Sequence, residues 1–387
     1  MSTAVPVLLD GRRTPFGRFR GSLRRWPTRE LLAHPIRALS AAHPHLEVPD
    51  GVLLGQVLQA GHGQNPARLA AADGGIPWTV PAVTLNNVCL AGLETLCAAS
   101  RRIQLDEGSA YLVGGGDSMT RAAHAGLLRP DLGLGSAELV DTMIVDGLHC
   151  GLTNEGMGDL SDQASAELGV SREAQDAIAL GSQERAARAM ANGWLAEEIV
   201  ELEDLSADEG IRPSTTADGL RELRPSFSAE GTITAGNASQ MSDGATVGFV
   251  TSLDEADRLR TEPLAHIVAH AEVAGPDNTL HRKPASAIRA VCERAKIELS
   301  DIDLIEINEA FAGVVAASVD DLAVPMDIVN VNGGAIAVGH PLGGTGLRLV
   351  LTLAHELRRR GLRRGVAALC GGGGQGLAVL IENAREA

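Results

Sequence analysis

At 387 residues the chain is long enough for two or three domain-sized units of roughly 100–200 residues each, and its 44% apolar content can fill a substantial core. With 33 Lys and Arg against 49 Asp and Glu, the formal charge is −16, which argues against a nucleic-acid or anionic-membrane surface. Aromatics at 2% argue against a base-stacking platform, and five widely spaced cysteines with no C-x-x-C pair argue against a disulfide framework or a zinc site. No basic region precedes the first apolar run, and no stretch reaches the ~18 uninterrupted apolar residues of a membrane span. The expectation is a soluble, cytoplasmic protein with 45 glycines to account for.

Short apolar runs alternate with segments at helical period, which predicts an α/β fold. Val5–Leu9, Val80–Thr84 and Ala110–Val113 read as strands, and Leu93–Leu105 as a helix with Leu93, Leu96, Cys97 and Ser100 on one face. Residues 121–245 differ: they are rich in Gly, Ser, Thr, Asp and Pro, and hold one clear helix, Ser171–Asn192, capped by Ser171 and stopped by Gly193. Loops of that size are usually functional, and the stretch reads as an insertion across the core. Beyond it, Leu304–Ile307, Ile328–Val331, Val366–Leu369 and Leu377–Ile381 read as strands. Gly346–Arg360 is an amphipathic helix with a basic end, stopped by Gly361. Thr84–Ser100 (strand, sharp turn at Asn87–Cys89, helix) is echoed by Asn330–Leu357, with its turn at Gly333–Gly344. Each half then runs into a strand ending in glycines, which suggests a duplicated fold.

Cys89 falls between a predicted strand and a predicted helix start, where free N–H groups and the helix dipole favour thiolate; it is a nucleophile or a small core residue. His340 lies within Gly333–Gly344, where glycines let backbone approach a ligand and Pro341 sets the exit direction; it is a base or a structural histidine. Cys370 and Asn308 each end a predicted strand, one able to exchange a proton, the other to hold a water or cap a helix. The run Cys370–Gly376 matches G-x-G-x-x-G formally, but a strand rather than a helix follows and the chain ends at Ala387, so a dinucleotide site is rejected.

Taken together, Cys89 before Gly92, Asn308-Glu309-Ala310-Phe311-Ala312, Gly339-His340-Pro341 and Cys370-Gly371-Gly372-Gly373 resemble, in order and spacing, the thiolases. The resemblance begins at Arg13-Thr14-Pro15-Phe16-Gly17 and continues through Gly63–Arg68, Ser171-Arg172-Glu173, Gly231–Ser239 and Asp243-Gly244-Ala245. It implies acyl transfer between thiol carriers on a duplicated αβαβα five-layer core, each half a mixed five-stranded sheet, with an inserted loop domain. On that scheme residues 1–120 form the N-terminal half, 121–245 the CoA-binding loop domain, 246–262 the return into the first half and 263–387 the C-terminal half. The implied roles are Cys89 as nucleophile, His340 as its base and an oxyanion donor, and Cys370 as second acid/base. Asn308 would hold an oxyanion-hole water, and the N–H groups of Cys89 and Gly372 would form a second hole. Ser239 is implied as a contact to the pantetheine arm, Arg212 as a neighbour of the nucleotide. No permanently bound cofactor is implied: coenzyme A and acetyl-CoA are substrates, and the expected assembly is a homodimer or homotetramer.

Several positions depart from the family pattern. Ala91 stands where Ser is usual after Cys-x, and Gly156-Met157-Gly158 where acetoacetyl-specific members have His-Met-Gly. Leu280-His281-Arg282-Lys283-Pro284 replaces Met-Gly-x-Gly-Pro, and Gln240-Met241-Ser242 replaces Gly-x-Asn. The expected activity is acetyl-CoA acetyltransferase; the alternatives are a 3-ketoacyl-CoA thiolase for longer or branched chains and a silent assembly partner.

Overall fold

The computed structural model describes residues 4–46, 48–126, 128–129 and 136–386. The first half contributes β1 (Pro6–Arg13), β2 (Gly51–Gly55), β3 (Ala82–Leu85), β4 (Ala110–Ser118) and β5 (Ser242–Ser252), in the spatial order β3-β2-β4-β5-β1. The second half contributes β6 (Ala265–Ala274), β7 (Leu304–Ile307), β8 (Arg364–Gly371) and β9 (Gln375–Asn383), in the order β7-β8-β9-β6. In each half the strands nearest the far edge run parallel, β2 with β3 and β4, β7 with β8, while the others pair antiparallel. The second order is thus the first with one strand missing, as a duplication would leave it.

The missing strand is the one expected at Ile328–Val331. Only Val329 bridges Ile305, in the place that β3 occupies beside β2. Asn330 ends the pairing: it adopts φ +48°, and its amide accepts from Ile307 N and donates to Ile307 O, doing with a side chain what a strand would do with backbone. The half-sheets are also not separate. Val7 pairs His266 and Leu8 pairs Ala265, joining them edge to edge through β1 and β6.

Helices α1 (Thr28–Ala42), α2 (Pro66–Asp73) and α3 (Ala91–Gln104) belong to the first half, α4 (Met157–Glu167) and α5 (Arg172–Ala191) to the stretch 121–245. The second half supplies α6 (Lys283–Ala295), α7 (Ala312–Leu322) and α8 (Leu342–Arg360). Leu31, Leu32, Ile36 and Leu39 of α1 pack on Val7, Val52, Leu112 and Phe249 of the first half-sheet. Ala285, Ile288 and Val291 of α6 and Val315 of α7 pack on Ile305, Val366 and Leu380 of the second. Between the sheets, Leu93 and Leu96 of α3 and Leu347, Leu351 and Leu353 of α8 meet Val113, Leu369 and Val379. The result is five layers, with each fully buried aliphatic side chain contributing ~1.5–3 kcal/mol. The face expected for α3 is buried as anticipated at Leu93, Leu96, Cys97 and Ser100.

Helix α8 begins at Leu342, four residues before the periodicity suggests. The glycines that read as loop permit contact with α3: a Cβ on Gly92 would lie 2.3 Å from Gly343 O, and one on Gly346 2.4 Å from Leu93 N. Its basic end is anchored by Glu356, which pairs with both Arg359 and Arg360.

The stretch 121–245 holds more structure than one helix: α4, a short helix at Ala217–Arg221, a π-helical turn at Met143–Leu148 and two small hairpins accompany α5. The Ser171 hydroxyl accepts from Ala174 N as the N-cap, and Gly193 takes φ +75° beyond the helix end. The last four residues, from Ser242, already lie in β5. Arg13 of β1 fastens this stretch to the core, forking onto Asp208 at 2.6 and 2.8 Å and reaching Glu198 at 2.6 Å, all buried.

Candidate active site

Four strand ends and the N-terminal turns of α3 and α8 converge on one region. After β3, the Asn86 side chain accepts from Val88 N (3.0 Å), Val88 takes φ +48°, and the chain enters α3 two residues after Cys89. The half-buried Cys89 sulfur faces its own N–H and that of Gly372. Burial still pushes the thiol up to about 12, and the nearby Asp117 carboxylate adds to the effect. Asp117 is itself buried. Burial pushes it up to about 7 although its carboxylate accepts from Leu58 N, Gly343 N and Val57 N.

His340 follows Gly339, which adopts φ +108°, and its N–H reaches Gln240 O (3.0 Å) and Ser242 Oγ (3.1 Å). Its Nδ1 lies 2.7 Å from Thr345 Oγ1, whose single proton is donated to Pro341 O at 2.9 Å. With that proton on Pro341 O the hydroxyl accepts from Nδ1–H, an assignment of the tautomer that leaves the lone pair on Nε2. Burial, helped by the Arg348 charge, holds the ring down to about 3, so it is neutral at pH 7.

Asn308 ends β7, its N–H bonded to Ala368 O; its Nδ2 lies 3.5 Å from His340 Nε2, and its buried Oδ1 has no protein partner among the described residues. Cys370, 1% exposed, ends β8 among Leu280, Ala310, Val314, Met157 and Phe311. Burial and the neighbouring Cys89 sulfur both push its thiol up. Gly372 stands at the tip of the β8–β9 hairpin, where Gly373 and Gly374 take φ +80° and +71°. Across from Cys370, Val57, Leu58, Met119, Met143 and Leu342 form a second apolar wall against Cys89.

Cys89, Asn308, His340, Cys370 and Gly372 are thus brought together. Ser239 is half-buried beside them, its N–H on Ala310 O. Arg212 is exposed; its backbone N–H donates to Gln183, and its guanidinium, held down by partial desolvation and by the nearby Arg18 charge, has no carboxylate partner among the described residues. Sequence reasoning passed over Thr345, Asp117 and Phe227. The first two follow glycine runs closely, which was the available signal; Phe227 gave none, and packs edge-on to Phe311 at 6.2 Å. The match to G-x-G-x-x-G does lead into a strand, β9. All five cysteines are free, no group of three His, Cys, Asp or Glu residues is placed to hold a metal, and no helix is long and apolar enough to cross a membrane, among the described residues.

Two thiols, a neutral imidazole with an accessible lone pair, an amide and an N–H at a hairpin tip form a set able to move acyl groups and protons between sulfurs. The family model for the thiolase N-terminal domain matches residues 6–254, and that for the C-terminal domain residues 261–383. A "probable acetyl-CoA acetyltransferase" of Mycobacterium tuberculosis is 44% identical, over 97% of this chain and 98% of its own length. The acetyl-CoA acetyltransferase of Chromobacterium violaceum is 42% identical over 97% and 99%. The crystal structure of the Bacillus anthracis acetyl-CoA acetyltransferase superposes with a TM-score of 0.93 at 35% identity, covering 98% of this chain and 99% of that one. With both domain models matched and the relatives covered end to end, the chain belongs to the thiolase family of acyltransferases.

Proposed function

We propose that this chain is an acetyl-CoA acetyltransferase, condensing two acetyl-CoA or cleaving acetoacetyl-CoA with CoA. The observation that carries the reading is the neutral His340 with its lone pair on Nε2, in the same site as two thiols and the Gly372 N–H. Cys89 attacks the thioester as Nε2 takes its proton; the Cys89–acyl bond forms, the bond to CoA sulfur breaks, and the proton passes to the departing CoA. Burial favours the neutral thiol–imidazole pair, so proton transfer accompanies attack rather than preceding it. In the second half-reaction the Cys370 thiol passes its proton to the now neutral His340, and the resulting thiolate removes a proton from the α-carbon of another acetyl-CoA. The protonated Nε2 donates to the enolate oxygen, the enolate attacks the acyl carbon, and Cys89 leaves and takes its proton back from His340. One oxyanion hole comprises His340 and a water held by Asn308, whose unpartnered Oδ1 supports that role; the N–H groups of Cys89 and Gly372 form the other. Each such donor is worth roughly 3–4 kcal/mol in acyl transfer.

Residues 121–245 act as the CoA-holding insertion, with Ser239 against the pantetheine arm and Arg212, next to Arg18, near the nucleotide phosphates; the Arg212 guanidinium, with no carboxylate partner among the described residues, supports this on a chain of net charge −16. The protein works in the cytoplasm as a homodimer or homotetramer. The edge strand β3, with Val83 40% exposed and Trp78 80% exposed just before it, supports pairing there. A reading as a 3-ketoacyl-CoA thiolase for larger chains draws on Gly156 and Leu280, which leave the Cys370 side of the pocket without the family's His and Met.

Mass spectrometry after mixing with acetyl-CoA tests the reading. An acetyl adduct on the wild type that is absent in Cys89→Ser is expected, and absence of an adduct on the wild type overturns it. Faster cleavage of long 3-ketoacyl-CoA than of acetoacetyl-CoA would favour the alternative.

A further inference from the structure

Lysine is rare in this chain: Lys283 and Lys296 are the only two. Lys283 is 5% exposed and is the first residue of α6, a 13-residue helix. A cation at a helix N-terminus opposes the helix dipole, and a buried ammonium costs free energy unless it is paired. The dipole rule is broken here and the burial is met by pairing, and such departures from local preference concentrate at functional sites. Its ammonium donates to Gly275 O at 2.8 Å and to Asp277 Oδ1 at 3.1 Å. The turn so fastened carries the hairpin that holds Gly372. Gly275 N donates to Gly374 O at 3.0 Å, and a Cβ on Gly374 would stand 2.0 Å from Asp277 O, so the hairpin tip lies directly on the turn. Gly376 presses on Lys283 itself, where a Cβ would be 2.5 Å from the Lys283 carbonyl. On the same segment, Leu280 packs against Cys370. The other side of the hairpin is held more loosely, by Gln375 reaching Asn87 at 3.2 Å.

We propose that Lys283 is a positioning residue that, through Gly275 and Asp277, holds the tip of the β8–β9 hairpin so that the Gly372 N–H meets the acyl oxygen on Cys89. This rests on the acyl-transfer reading above. Lys283 touches no reacting atom. It acts by fixing the height of the glycine turn, which has no side chains of its own with which to do so. The hairpin turns through positive φ at Gly373 and Gly374, and a displacement of the turn would pass to the next residue, Gly372, undamped. Misplacement of a catalytic donor by about 1 Å lowers rates by up to 10²-fold.

The test compares wild type, Lys283→Met and Asp277→Asn by the rate of Cys89 acetylation from acetyl-CoA, followed by quenched-flow mass spectrometry, and by kcat and KM. The Met variant keeps the apolar stem, and Asp277 is largely exposed, so its Asn variant folds even where the Met variant does not. The expected result is a tenfold or greater loss of acetylation rate and kcat in both variants, with KM for CoA within twofold. The double variant should be no slower than the worse single one. A variant that loses thermal stability but acetylates at the wild-type rate overturns the proposal, as does a loss expressed only in KM. Failure of the wild type to acetylate is a different result: it overturns the acyl-transfer reading itself.

Discussion

Thr345→Val isolates the tautomer assignment. The substitution keeps shape at a fully buried position and deletes the hydroxyl that accepts from His340 Nδ1–H at 2.7 Å. With His340 only 5% exposed, solvent has poor access to replace it. A neutral hydrogen bond is worth about 1 kcal/mol net, whereas one to a charged group is worth about 1.5–3 kcal/mol. The ring is neutral in the resting site and, on the proposed mechanism, gains charge as it takes the Cys89 proton, so the bond strengthens on the way to the transition state. The difference, about 0.5–2 kcal/mol, corresponds to an acetylation of Cys89 slower by about 2- to 30-fold. Quenched-flow mass spectrometry reads that rate directly, and KM for CoA should hold because Thr345 lies beneath the ring. Thr345→Ser restores the hydroxyl and should recover most of the rate. Acetylation of the Val variant at the wild-type rate, or a Ser variant as slow as the Val variant, would refute the assignment of the lone pair to Nε2.

Gly92→Ala places a Cβ 2.3 Å from Gly343 O, so α3 and α8 must part by about 1 Å to restore an ordinary C···O separation. The expected cost is about 1–3 kcal/mol, seen as a lower thermal midpoint together with slower acetylation. Gly181→Ala, in α5 with nothing within 4 Å of its Cβ, should instead raise the midpoint, which separates crowding from glycine loss as such. His281 should govern part of the acid sensitivity. Burial lowers the ring to about 4 against 6.5 when unfolded, so the unfolded chain takes up a proton first, and the stability present above pH 6.5 is lost as pH falls toward 4. In His281→Asn the stability difference between pH 6.5 and pH 5 should shrink by about 1.5 kcal/mol, measured by urea unfolding at the two values. An unchanged difference would mean that the buried ring protonates in the folded state.

Most of what makes the site was legible because it is local. A strand, a turn and a helix start in succession fix where Cys89 goes, and in the second half a glycine-rich turn running into a helix start marks His340, although the strand expected before it is reduced to one bridge. Where reading failed, a distant partner decided the outcome. Ile328–Val331 has the composition of a strand, but the Asn330 amide satisfies Ile307 and ends the ladder after one bridge. The first turn of α8 looked like loop because Gly343, Gly344 and Gly346 are poor helix formers in isolation; their value appears only against the backbone of α3. Thr345 was invisible for the opposite reason. It is an ordinary helix residue until the direction of its one proton is traced to Pro341 O. Lys283 could be seen to depart from the family pattern, but not what it holds, because Gly275 and Gly374 are adjacent only in the fold.

The meeting of α3 and α8 at their first turns has an electrostatic consequence. Each helix start carries the equivalent of about half a positive charge, so two facing starts concentrate that field where the halves touch, with the buried Asp117 carboxylate, which accepts from Gly343 N, offsetting part of it. The helix charge belongs to backbone. It does not titrate, and no single side-chain substitution removes it; only moving a helix does. An anionic protein can therefore meet the negative charge that develops on a thioester oxygen without placing a lysine or arginine at the reacting atoms. The glycines that let the two helices touch are what keep that field focused.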